Sequence, residues 1–217
     1  KNKFPNFEVK YLHSHPKGVY AEFVGDRHLT DEEFKTIKNE MSRIISQDIP
    51  IKRYNISKKD ASKYLIKNNY IEKALNVQNT TASILTLYTL DNYVNYFYNE
   101  MPNSTGAITL YDIKYLSRNK MVILLPNKLT NGRVPEYIEY RNIDKVFKNT
   151  KLWLQALDKE YLSDLNSDVS SGKIKDFINV SEIKFNDDIR NIVKNVTEDK
   201  DIKFVMIAGP SSSGKTT

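Results

Sequence analysis

A change of hydrophobic period near residue 126 is the feature that most limits how this chain can fold. Before it, apolar and polar residues alternate in short runs: ILTLYTL (84–90), YVNYFY (93–98), AITLYDIKYL (107–116) and MVILLP (121–126). That two-residue period belongs to half-buried strands. After it, Ile143, Val146, Phe147, Leu152, Trp153, Leu154 and Leu157 recur at helical spacing, in one helix or two abutting ones. Between the two regimes, LPNKLTNGRVPEY (125–137) carries Pro, Asn and Gly and reads as a linker.

Earlier still, FEVKYLHSHPKGVYAEFV (7–24) predicts two strands around an HPKG turn. Thr30 and Glu33 have the spacing of a capping box, and Phe34, Ile37, Met41, Ile44 and Ile45 continue it as one apolar stripe. IKRYNI (51–56) alternates like a strand, and Ser57 with Asp60 opens a shorter helix through about Lys67. NEMPNSTG (99–106) interrupts the strand runs as a loop. The order predicts an α+β domain with helices against an antiparallel sheet. Beyond the linker, LSDLNSDVSSGKIKDFI (162–178) predicts a polar helical stretch interrupted at Ser170, Ser171 and Gly172. FNDDIRNIVKNVTED (185–199) predicts another amphipathic helix.

Composition narrows the chemistry. There is no Cys, so disulfides, thiolate zinc sites and a Cys nucleophile are excluded; the absence suits a cytoplasmic protein. No apolar run approaches the ~20 residues of a membrane span, and KNKFPNFEVK at the start lacks a signal-peptide core. A net charge of +6 suits an anionic partner, but the Lys residues are spread along the chain, as on a solvated face. Fourteen of the aromatic residues are Tyr, mostly inside strand-like runs, which favours sheet packing over a base-stacking platform.

The closing residues carry the clearest chemical signal. Gly209, Pro210, Ser211, Ser212, Ser213, Gly214, Lys215 and Thr216 fit G-x-x-x-x-G-K-[ST] without a mismatch. The apolar run KFVMIA leads directly into Gly209, as a parallel strand covered on both faces does. Two glycines let the backbone wrap closely enough for successive N–H groups to meet one phosphate. Lys215 is then placed against the β- and γ-phosphate oxygens of ATP, and the Thr216 hydroxyl against Mg²⁺, with Thr217 beside it. The bare pattern arises by chance in roughly one chain in a hundred of this size. Because the chain stops inside the loop, it is expected to be the N-terminal part of a multidomain kinase and inactive by itself.

Two resemblances follow from these motifs. IAGPSSSGKTT resembles the loop of the uridine kinase and phosphoribulokinase family. Residues 18–66, with the GVYAEF strand, the TDEEF helix start and the PIKR strand, are similar to the editing, or second additional, domain of threonyl-tRNA synthetase. LYTLDNYVNYFYNEMPNSTGAI (87–108) resembles that domain's Cys- and His-bearing segment. Both halves occur together in a family of uridine kinase-like nucleoside kinases. The resemblance implies a synthetase-like accessory domain over 1–125, a helical connector over 126–200, and the first strand and phosphate loop of an α/β kinase domain over 201–217. It also implies phosphoryl transfer from ATP to the 5′-hydroxyl of uridine or cytidine, with Mg²⁺. Phe97 stands where the synthetase has its Cys, and Met101 where the following His falls; its H-x-x-x-H pair falls before residue 1. The resemblance therefore implies a scaffold without deacylation chemistry.

Other residues have blander readings. His13 and His15 share a strand face, a spacing that can hold a metal, but surface or turn histidines are the cheaper reading. Lys52, Arg53, Lys58, Lys59, Arg118 and Lys120 fit a solvated surface, and Trp153 fits core packing. Asp187, Asp188, Asp199 and Asp201 fit helix-terminal and turn roles better than Mg²⁺ ligation. An RNA- or tRNA-associated module with a nucleotide switch stays open as a second reading of the whole, and a phosphoribulokinase-like enzyme as a third.

Overall fold

The computed structural model describes residues 3–15, 18–116 and 119–209. The chain divides into two units, Lys1–Trp153 and Leu154–Thr217.

The first unit is built on a four-stranded antiparallel sheet of β1 (Glu8–His15), β2 (Gly18–Val24), β6 (Asp112–Tyr115) and β7 (Lys120–Leu124), in the order β1-β2-β7-β6. Strand alternation gives it two apolar faces. Ala21, Phe23, Ile113 and Met121 point one way and meet Phe34, Ile37 and Met41 of helix α1 (Asp31–Ser46). Tyr20, Val122 and Leu124 point the other way and meet Val134 and Tyr137. Helix α4 (Arg141–Ala156) joins this second face. The Phe147 ring lies flat on His13 at 3.8 Å, His13 stacks on Tyr20 at 4.9 Å, and the Lys151 ammonium reaches the Glu22 carboxylate at 2.6 Å. These contacts keep α4 with the sheet, and the first compact unit runs on to Trp153.

Helix α1 starts where the capping box predicts. The Glu33 amide donates to the Thr30 hydroxyl at 3.2 Å, and the Thr30 amide donates to Glu33 Oε2 at 2.9 Å. Arg27 grips the same carboxylate with both terminal nitrogens, at 2.8 and 2.6 Å. The Arg27 hydrogen bonds, followed by the Thr30 amide, hold the Glu33 carboxyl at about 2, below the ordinary 4.5. A depressed folded value stabilises the native state above the unfolded value and ceases to do so as pH falls through the folded one. The contribution is therefore complete above pH 4.5 and lost between pH 4.5 and about 2. Glu33→Gln is expected to flatten the fall of the urea midpoint over that window and to leave its slope above pH 5 unchanged.

Residues 50–104 form an insertion in the first unit. Its own sheet, in the order β3-β4-β5, comprises β3 (Lys52–Ser57), β4 (Ile84–Leu90) and β5 (Tyr93–Tyr96). Helices α2 (Lys58–Lys67) and α3 (Ile71–Asn79) cover one face through Ala61, Leu65, Ala74 and Val77, packed on Ile56, Leu85 and Tyr96. The Ser57 hydroxyl caps α2 by accepting from the Asp60 amide. The expectation of one sheet is thus corrected to two. The two ends of the insertion are fastened side by side: the Ile51 amide donates to the Asn103 carbonyl at 2.8 Å, and the Ile49 amide to the Thr105 hydroxyl at 2.9 Å.

The second unit contains α5 (Leu162–Ser171) and α6 (Ile174–Glu198). Gly172 ends α5 at φ 75°, a left-handed position that costs a side-chain-bearing residue strain. Lys159 pairs with the largely buried Asp168 at 2.9 Å. The amphipathic stretch expected over 185–199 is the latter part of α6, because no Gly or Pro lies between Ile174 and Glu198 to interrupt it. The strand expected at KFVMIAG does not form. Residues 202–209 have no regular structure, with Phe204 90% and Met206 93% exposed. A parallel strand takes its hydrogen bonds from neighbouring strands, and the described residues of this unit supply none.

Candidate functional site

Of the predicted phosphate-loop residues, Gly209 is described, exposed and without regular structure. Pro210, Ser211, Ser212, Ser213, Gly214, Lys215, Thr216 and Thr217 lie outside the described residues. An ammonium, a hydroxyl and a run of backbone amides between two glycines suit a magnesium-bound polyphosphate.

The carboxylates before the loop occupy ordinary surface positions. Asp187 accepts from Arg190 at 2.9 Å and Asp188 from Lys184 at 2.6 Å, both one turn away on α6. Asp199 closes a turn, accepting from the Asp201 amide at 3.0 Å. Among the described residues no group of three or more His, Asp or Glu is arranged to hold a metal ion. His13 is packed between aromatic rings, while the His15 side chain lies outside the described set.

Phe97 and Met101, the two positions singled out by the synthetase resemblance, both follow β5 on the way back to the parent sheet. Phe97, just past β5, is 42% exposed and meets the buried Tyr88 ring edge-on at 6.1 Å. Met101 is half-buried in the loop that returns to the neck, next to Glu100, which pairs with Arg53 at 2.8 Å. Tyr88 and Arg53 are register partners and point away from the helices. A phenyl ring and a thioether offer neither a nucleophile nor a general base there.

Sequence reasoning missed a group of tyrosines around α2 and α3. Tyr54 and Leu87 are partners on the helix-covered face. The Tyr64 phenol is pushed up by burial and by its neighbours Tyr54 and Tyr70. Lys73 lies over the Tyr70 ring, 4.9 Å from its centre, and donates to Asn95 Oδ1 at 3.0 Å. Burial and Tyr98 push the Tyr96 phenol up to about 12, so it stays protonated at neutral pH. The available signal was the four-residue spacing of Lys59, Lys63 and Lys67; the tyrosines, scattered in sequence, gather only through the topology.

The threonine–tRNA ligase of Lawsonia intracellularis (strain PHE/MN1-00) is 33% identical over 97 residues, 44% of this chain and 15% of that protein. The threonine–tRNA ligase of Synechococcus sp. (strain CC9902) is 31% identical over 87 residues, 40% of this chain and 14% of that protein. The chain contains a threonyl-tRNA-synthetase-like region. The match spans about one seventh of the length of these curated relatives. No family model matches the chain. The synthetase-like region thus has support from relatives, whereas the phosphate loop stands on its motif.

Proposed function

We propose that the chain is the N-terminal part of an ATP-dependent nucleoside kinase acting on uridine or cytidine, with the synthetase-like region as an editing-type accessory domain that has lost its chemistry. The observation that carries the reading is the uninterrupted G-x-x-x-x-G-K-T motif over 209–216, entered from the apolar KFVMIA. In this reading 1–125 is the accessory domain, 126–200 the helical connector and 201–217 the start of a catalytic domain, in a cytoplasmic enzyme. Magnesium-bound ATP supplies the transferable γ-phosphoryl group. The 211–214 backbone amides would cradle the β-phosphate, Lys215 would neutralise the charge that grows on the transferred group, and the Thr216 hydroxyl would hold the Mg²⁺. Phe97 and Met101 at the two synthetase positions, with no Cys anywhere in the chain, support loss of deacylation.

The test is transfer to a panel of nucleosides by the intact protein with Mg-ATP, read as nucleoside 5′-monophosphate. Product from uridine or cytidine is expected. Absence of transfer to every nucleoside would overturn the assignment.

A further inference from the structure

The positive charge of the chain is concentrated in one unit. Lys1–Trp153 holds 24 Lys and Arg against 16 Asp and Glu, so the net +6 of the whole is +8 there and −2 in the rest, which has 9 against 11. Within it, α2 presents a basic ridge. Ala61, Ser62 and Leu65 are its buried side, so the helical period carries Lys63 and Lys67 to the outer side, both exposed. Neither makes an ion pair with a described residue.

Flanking that ridge are rings. Tyr64 sits one position round the helix from Lys63, beside Tyr54 and Tyr70, and Tyr54 is 39% exposed. Lys73 adds a further cation over Tyr70. Lys63 and Lys67, one turn apart, with the exposed Tyr54 ring close by, are what a single-stranded polynucleotide requires: phosphates along the cations, a base against the ring. The hydroxyl of the exposed Tyr54 can also exchange hydrogen bonds with a ribose 2′-hydroxyl, which deoxyribose lacks. An acidic peptide would use the cations and leave the rings idle. A membrane surface would ask for more than Ile66, the one large aliphatic side chain exposed on α2 itself.

We propose that the outer face of α2, with Tyr54, Tyr64 and Tyr70, binds single-stranded RNA. The face is distinct from the synthetase-type positions, since Arg53, Tyr88 and Phe97 stand on the other side of the β3-β4-β5 sheet. It does not depend on the kinase reading.

The experiment is fluorescence anisotropy of a labelled oligouridylate with the chain, in excess Mg-ATP, between about 50 and 200 mM salt. Saturable binding is expected, falling with salt. Lys63→Ala with Lys67→Ala should weaken it about tenfold and lower the salt slope by about 1.4, two single-strand phosphate contacts. Tyr54→Leu should weaken it about tenfold with the slope unchanged, and Tyr54→Trp should restore it, because stacking needs a ring and no particular one. Lys145→Ala on α4 is the control for bulk charge. Absence of saturable binding would overturn the proposal, as would indifference to the α2 pair or to Tyr54→Leu. So would equal affinity for duplex RNA, for oligodeoxythymidylate or for polyglutamate.

Discussion

On the proposed kinase reading, Lys215→Ala in the intact protein is expected to lower the rate of phosphoryl transfer by about three orders of magnitude, the scale on which one charged group at the transferred phosphoryl acts. Little covalent chemistry falls to the protein in such a reaction; its contribution is position and charge. The loop amides remain in the variant, so nucleotide binding should weaken far less than turnover falls. Single-turnover kinetics with a fluorescent ATP analogue separates the two. Turnover within tenfold of the parent would remove Lys215 from the mechanism. A failure confined to nucleoside choice would leave Lys215 in place and refute only the acceptor.

Asn119→Ala should destabilise the first unit by about 3–5 kcal/mol. Asn119 is buried, and its side chain joins the β6–β7 turn to the approach to α1. Its Oδ1 accepts from the Leu29 amide at 2.7 Å, and its Nδ2 donates to the Arg27 carbonyl at 2.9 Å. The Tyr115 hydroxyl donates to the Leu29 carbonyl beside it at 2.9 Å. Alanine strands a buried N–H and a carbonyl, each worth about 1–3 kcal/mol. It also inherits φ 64°, which costs a Cβ-bearing residue about 1–2 kcal/mol unless its side chain can bond locally as Asn does. Asn119→Gly relieves the backbone without restoring the bonds and should recover about 1 kcal/mol. Urea denaturation checks both. A loss under about 1 kcal/mol for alanine would show that water replaces both partners.

Local signals were legible where one short stretch both specifies and satisfies a structure. Thr30 with Glu33, and Ser57 with Asp60, mark the starts of α1 and α2 because the capping groups lie three residues apart. The strands from Glu8 to Val24 and from Ile84 to Leu124 follow from two-residue alternation. Helix α3 escaped notice because it opens without a side-chain cap at Tyr70, directly after the turn at Asn68 and Asn69. The division into two sheets is a matter of long-range pairing, β2 with β7 and β3 with β4, and alternation within a strand does not name its partner. KFVMIAG shows the converse: strand composition without a neighbour to bond. In the candidate site, Phe97 and Met101 come from the resemblance to the synthetase domain, whereas the tyrosine-flanked ridge needed the fold to assemble it.

The neck joining Ile49 and Ile51 to Asn103 and Thr105 has an engineering consequence. Because departure and return points already touch, residues 50–104 could be excised and the gap sealed with a short glycine–serine join, or exchanged for a foreign module, without rerouting any strand of the parent sheet. Such a layout lets a lineage trade one appendage for another while the host scaffold carries on unaltered.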